Sequence, residues 1–453
     1  MTALLLGLLL ITGAADEHRF SVPVAGEAVA TITAGCDACD WAISGQEAVL
    51  ARVSVDGTYS QHLLISRGAA PVPYRIMLGP LTAGEHRLVL ERDASTSAKN
   101  AGAMKIERVD VRTYAPGTPE HEWLAQAPFV HARPGTVERF SDLPIHAWVE
   151  RAPAPAVGFR YSIIFSHEDG GTPTDRLMAT WGRTTDVEFV YGTERTPDGV
   201  LHQEIQARNH DILPFAGQRL GSHPLLWVST DNNMVSDTGP QDAVRFGLAP
   251  EFVALENVAR EVVMDKSPWT YALMSAELQR EGRIDPAGQP GSAKIPDPRR
   301  FAYLEACGEL VNATLAFDVG VQRQSAAGSR VGAEVTTKAG DQIEWFASDR
   351  GEYRFRIARS GCFRAAVPLA DGVTAEQITA VRMRAYTRPR RDIEPILPAG
   401  TGRVTLRRLN GVFMLDEQYR PGAVRLRWAG LIEARGEAAP VPVPAPPSSN
   451  RTR

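Results

Sequence analysis

Short runs in which apolar and polar residues alternate, each closed by a turn bearing Gly, Pro or Asp, recur through residues 16–116 and return through 301–436. A period of two puts successive side chains on opposite faces of an extended strand, so such runs build half-buried sheets rather than helices. In the first stretch the runs fall at Ala28–Ile32, Val49–Val55, Tyr74–Leu78, His86–Leu90 and Met104–Val111, with turn signals such as Asp56-Gly57 and Ala83-Gly84 between them. In the second they fall at Thr314–Val319, Tyr353–Ile357, Ala380–Tyr386, Val404–Leu406 and Val424–Trp428. Short strands at this spacing predict a β-sandwich in each stretch.

Residues 117–300 read differently. Strands are predicted at Ile145–Val149, Arg160–Phe165, Val187–Tyr191 and Leu225–Ser229. Two helices have start signals: Thr172-Pro173 before a short one, and Ser267-Pro268 before a longer one that stops at Gly282. With 453 residues the chain exceeds one ordinary core. The reading is therefore a mainly β chain: an N-terminal β-sandwich (16–116), a central α+β domain (117–300) and a C-terminal β-sandwich (301–436). A Pro-rich tail at 437–453 is predicted to be extended and disordered. The last two domains could share a core.

The opening MTALLLGLLLITGAA has an apolar stretch followed by small residues, the layout of a signal peptide over 1–15, although no Lys or Arg precedes the apolar stretch. No later segment has 18 continuous apolar residues, so no membrane span is expected. A secreted or periplasmic location follows. Four cysteines in such a chain read as disulfides, and Cys36–Cys39 with Cys307–Cys362 keeps each pair inside one domain. The formal net charge of -4 offers no basic excess for broad nucleic-acid binding.

The segment YRIMLGPLTAGEHRLVLERD (Tyr74–Asp93), followed by MKIERVDV (Met104–Val111), resembles the closing strands of carbohydrate-binding-module-like β-sandwiches. The resemblance implies a polysaccharide or glycan as partner. Trp41, Tyr59 and Tyr74 are the aromatics available for a sugar platform.

The familiar catalytic and nucleotide motifs, including G-x-S-x-G, H-E-x-x-H, the P-loop and G-x-G-x-x-G, do not occur. All ten histidines precede residue 224, and seven lie from His121 to His223, so the central domain is the place to look for proton transfer. There the loop SHEDGGTPTD places His167, Glu168 and Asp169 between a strand and a helix. On the next strand, Asp186 and Glu188 alternate with apolar residues, a spacing of about 6–7 Å near the range used by inverting glycosidases. Asp186, Glu188, His167, Glu168 and Asp169 are thus the candidate catalytic residues, with Arg183, Arg133, His210 and His223 as candidate substrate binders. Asp231, Asn233 and Asp237 form an oxygen-rich turn of a kind that suits a structural calcium, although Val235 and a missing Gly break the EF-hand pattern. The leading functional expectation is exported glycan processing by glycoside hydrolysis. The alternatives are a non-catalytic glycan-binding or cell-surface protein, and a metal-dependent hydrolase using three of His167, His202, His210 and His223.

Overall fold

The computed structural model describes residues 15–153, 155–168, 170–286, 293–322, 335–338, 341–389, 402–423, 427–433 and 441–442. Residues 1–14 of the signal-peptide reading lie outside the described residues, as does the 437–453 tail apart from Val441–Pro442, which pair with Arg382 and Met383. The fold is mainly β. The chain divides into two compact units, the first comprising Met1–Ile164 with Glu188–Phe252 and the second Phe165–Val187 with Val253–Arg453.

The first unit opens with two antiparallel sheets. One has the order Asp16–Val22, Gly84–Arg92, Val49–Val55, Thr58–Ile65; the other runs Val72–Leu81, Gly26–Cys36, Met104–Tyr114. All five strands read from the alternation between Ala28 and Val111 are present; in four of them one face carries residues that fill the core, such as Ile32, Val53, Ile76, Leu88 and Leu90, while Met104–Tyr114 has only half-buried residues on its covered face. A six-stranded sheet follows, in the order Ile212–Pro214, Leu201–Gln206, Asp186–Arg195, Val157–Phe165, Pro144–Arg151, Glu251–Phe252. A smaller sheet is built around His223–Val228 and Phe129–His131.

Within this unit the sandwich and the later strands are joined by buried polar contacts. The Gln61 side-chain amide donates to the Met77 carbonyl and accepts from the Gly247 amide at 2.6 Å, with Gln61 fully buried. His223, also fully buried, meets Glu27 at 3.0 Å through Nε2 and the Ala127 carbonyl at 2.8 Å through Nδ1. Buried donors and acceptors left without partners cost more than the bonds return, so these contacts fix the packing register.

The second unit is a sandwich with helices against it. Its sheets run Gly361–Pro368, Phe301–Val311, Arg403–Phe413, Trp428–Glu433 and Val335–Lys338, Asp341–Ala347, Ala313–Gln322, Ile378–Thr387, Val441–Pro442. Between them lies a core containing Leu304, Leu315, Phe317, Phe363, Met383 and Leu406. Tyr353–Ile357, read as a strand from its alternation, instead contains a single helical turn at Tyr353–Phe355. Its Phe355 and Ile357 still turn into the core, which is what the alternating pattern recorded. Helix Thr174–Trp181 begins at the predicted Pro173 and ends at Gly182. A Cβ at Gly182, which has φ +65°, would lie 2.7 Å from Arg364 Cγ. Helix Trp269–Arg280 follows Pro268 and gives way to Gly282 at φ +66°.

Arg364, fully buried, is the polar centre of this unit. It binds Asp265 through both terminal nitrogens at 2.6 Å, Glu305 at 2.7 Å and the Tyr271 hydroxyl at 2.8 Å. Disulfides join Cys36 to Cys39 and Cys307 to Cys362, the second bridging directly paired residues of neighbouring strands.

Two stability outcomes follow. Replacing Cys307 and Cys362 together by Ser should lower the stability of the second unit by about 4 kcal/mol in the chain-entropy model, read by denaturant unfolding with and without reductant. Reductant should leave that variant unmoved in this transition. Gln61→Leu should cost about 2 kcal/mol or more, because it strands the Met77 carbonyl and the Gly247 amide; an unchanged midpoint would show that the amide does not join the two parts.

Candidate functional site

The second unit gathers a group of charged side chains on three segments: the loop after strand Val157–Phe165, the turn after helix Thr174–Trp181, and the stretch before helix Val262–Lys266. Gly182 turns the chain so that Arg183 points inward, where it is 5% exposed. Arg183 meets Glu261 at 3.1 Å through Nε and Asp186 at 3.7 Å through Nη1, and Nη1 also donates to the Thr185 carbonyl. Asp186 is 2% exposed, and its Oδ1 accepts from the Val187 amide at 2.9 Å. Glu168 is half-buried and hydrogen-bonded to Thr172.

The two carboxyls, Glu168 and Asp186, interact electrostatically. Burial pushes the Glu168 carboxyl up, the Asp186 charge pushes it further, and Arg183 and Arg176 only partly offset them, leaving Glu168 at about 7. Burial also pushes Glu261 up, but the charges of Arg183, Arg364 and Arg359 outweigh it and hold Glu261 below the ordinary carboxylate value. Burial lowers Arg359 to about 10 against the opposing pull of Glu261. Arg359 donates to the Thr180 carbonyl at 2.8 Å and lies 5.1 Å from the centre of the Trp181 ring. The group therefore offers a carboxyl that holds its proton close to neutral pH beside a second carboxylate held by an arginine.

His167, 1% exposed, lies 3.0 Å from Arg283 Nη1 and 3.7 Å from Glu281 through Nε2. An arginine N–H can only donate, so Nε2 accepts and the ring proton sits on Nδ1. Asp169 lies outside the described residues.

The other sequence-derived candidates go elsewhere. Glu188 lies two residues beyond Asp186 in strand Asp186–Arg195 and accepts from the Gln206 amide. Arg133 is held between Asp142 at 2.6 Å and Asp231 at 2.8 Å. His223 is sealed against Glu27, and His210 is exposed at positive φ beside strand Ile212–Pro214. Of the oxygen-rich turn, Asp231 is neutralised by Arg133, Asp237 accepts from the Ala216 amide at 2.9 Å, and Asn233 is buried at φ +55°. Asp231 and Asp237 thus serve separate partners, as turn-forming Asx residues do. Among the described residues no group of three His, Cys, Asp or Glu could hold a metal ion, which leaves the histidine-metal reading without a ligand set.

The aromatics proposed as a sugar platform are packed. Trp41 is 3% exposed and meets Phe140 edge-on, Tyr59 lies under Arg52 and Arg245, and the Tyr74 hydroxyl accepts from the Ser66 and Arg67 amides. Spacing along the sequence gave no sign of Glu261, Arg359 or Arg283, because each reaches the site from a distant segment. Glu261, directly before a helix, and the Trp181-Gly182-Arg183 turn were the available local signals.

No family model matches the sequence, and no curated protein matches it. Two solved structures are similar over 23% of this chain. One is a family 35 carbohydrate-binding module from an environmental isolate, at 22% identity, a TM-score of 0.17 and 72% of that chain. The other is the EclA C-terminal domain, a sugar-binding protein, at 13% identity, a TM-score of 0.16 and 83% of that chain.

The raised Glu168 makes a signed prediction. Its value rises from 4.5 in the unfolded chain to about 7 in the fold, so the native state keeps a proton that the unfolded chain releases. That contribution to stability is complete below the unfolded value and is lost as pH rises towards 7. Glu168→Gln has no such proton to lose, so its melting temperature relative to wild type should climb between pH 5 and pH 8. Parallel curves for the two proteins would show that Glu168 titrates normally.

Proposed function

We propose that this chain is an exported glycan-processing protein, and that Glu168 and Asp186 supply the acid and the base for hydrolysis of a glycosidic bond. The observation that carries the proposal is the meeting of a half-buried, proton-retaining carboxyl with a second carboxylate fixed by Arg183. Two carboxyls whose surroundings push their proton affinities apart are what such hydrolysis requires. In this reading protonated Glu168 gives its proton to the leaving oxygen and Asp186 stays ionised. Arg183 and Glu261 hold Asp186 in place, and His167 with Arg283 and Glu281 steadies the loop that presents Glu168.

The glycan as substrate class comes from the Tyr74–Asp93 strand pattern and its resemblance to carbohydrate-binding sandwiches. Residues 16–116 would then be the recognition module and the second unit the reactive one. Two disulfides suit the oxidising exterior that the opening fifteen residues imply. A glycan-binding role without turnover is the second reading, and the 2% exposure of Asp186 favours it, since a reacting base must reach its proton or a water.

Release of reducing ends from a polysaccharide panel separates the two. Under the hydrolytic reading Glu168→Gln lowers kcat/KM by about 100-fold or more while the glycan still binds, and the wild-type rate falls as pH passes above about 7. Wild-type binding with no cleavage on any glycan would remove hydrolysis and leave recognition.

A further inference from the structure

In the first unit, the strands Asp186–Arg195 and Leu201–Gln206 set Gly192 directly opposite Glu204. A Cβ at position 192 would lie 2.9 Å from the tip of the Phe189 ring and 3.2 Å from Glu204 Oε1. Glycine therefore leaves a hollow in the sheet surface over which the Glu204 carboxylate extends. Arg160, on the adjacent strand Val157–Phe165, stacks its guanidinium 4.4 Å from the centre of the Phe189 ring. Glu194 lies two residues beyond Gly192, on the same sheet face as Glu204. With Pro153 and Pro155 along one side, these residues line an open pocket of about 320 Å³, the size of a small-molecule site.

Among the described residues, Arg160, Glu194 and Glu204 make no ion pair and no side-chain hydrogen bond. Opposite charges that share a pocket without pairing leave their polar atoms to whatever enters it. An anionic ligand would satisfy Arg160 and be repelled by two carboxylates, and a cation would meet the reverse. A hydroxyl both donates and accepts, so neighbouring hydroxyls can give protons to Glu204 and Glu194 and accept from Arg160. The two prolines offer an apolar wall for the C–H face of a ring.

We infer that this pocket binds a neutral sugar ring through Glu204, Glu194 and Arg160. The inference takes only its ligand class from the glycan reading above and shares no residue with the Glu168 and Asp186 pair. Calorimetric titration of the full chain with D-glucose, D-galactose, D-xylose and N-acetyl-D-glucosamine tests it, with D-glucosamine and D-glucuronate as charged counterparts. At least one neutral sugar should saturate a single site. Glu204→Gln and Arg160→Met should each weaken it by about tenfold or more, the loss of a charge-assisted hydrogen bond. Glu168→Gln should bind as wild type does, and wild-type binding in this pocket without turnover of any glycan would remove the acid–base reading alone. Neither Glu204 nor Arg160 has an ion partner to strand, so their variants should stay folded, with Arg160→Met losing only its contact with the Phe189 ring. Glu204→Asp, which keeps the charge but withdraws the carboxylate, should weaken binding in the same direction. The pocket is not a sugar site if no neutral sugar saturates it, if the variants bind unchanged, or if either charged counterpart binds more tightly than its neutral parent.

Discussion

Buried charge in the second unit is the constraint on which the rest of that unit depends. Arg364 has no access to water, and a buried guanidinium is tolerable only when acceptors balance its charge; here both terminal nitrogens find them, while Nε does not. Asp265, Glu305 and the Tyr271 hydroxyl provide those acceptors from the helical stretch and from strand Phe301–Val311. Removing one partner from such an arrangement costs about 3–5 kcal/mol, because the remaining charge stays buried. The stretch before helix Val262–Lys266 is held by the same requirement, since Glu261 offers its carbonyl to Arg364 and its carboxylate to Arg183. Arg183, Arg364 and Glu261 are therefore neighbours in one network, and burial with the Asp186 charge leaves Glu168, beside it, holding its proton to about pH 7.

The fold was readable wherever one sheet face stays wet. Val49–Val55 alternates, and its predicted bounds are those of the strand. Phe301–Val311 gave no signal, because its first eight residues are buried on both faces and its composition therefore does not alternate. Gly361–Pro368 went unread for the same reason. Tyr353–Ile357 misled in the opposite sense: a helical turn at Tyr353–Phe355 and a single bridge at Ile357 turned Phe355 and Ile357 inward without a strand. Arg382 and Arg384 alternate with apolar residues in strand Ile378–Thr387, a pattern that taken alone suggests a wet basic face. Both are bound to Asp318, and Arg384 also to Asp349, partners at distances along the chain that spacing does not reveal.

The candidate site was legible in part. Glu168 and Asp186 could be singled out from a Gly-rich loop and from strand spacing. Arg183, which meets Asp186, is also held by Glu261, 78 residues further along the chain. Local patterns report the direction a side chain takes from its own element. They do not report which remote charge receives it, and for ionisable groups that charge decides the chemistry.

Gln61 has a consequence for the ageing of the molecule. Its amide nitrogen faces the Met77 carbonyl and its oxygen faces the Gly247 amide, so its two ends are not interchangeable. Hydrolysis of this amide consumes a water, which the fully buried site excludes, so the fold itself shields Gln61 from deamidation. A chain deamidated while open would bring a carboxylate against the Met77 carbonyl on refolding, and the seam between the opening sandwich and the strands that follow would close less firmly.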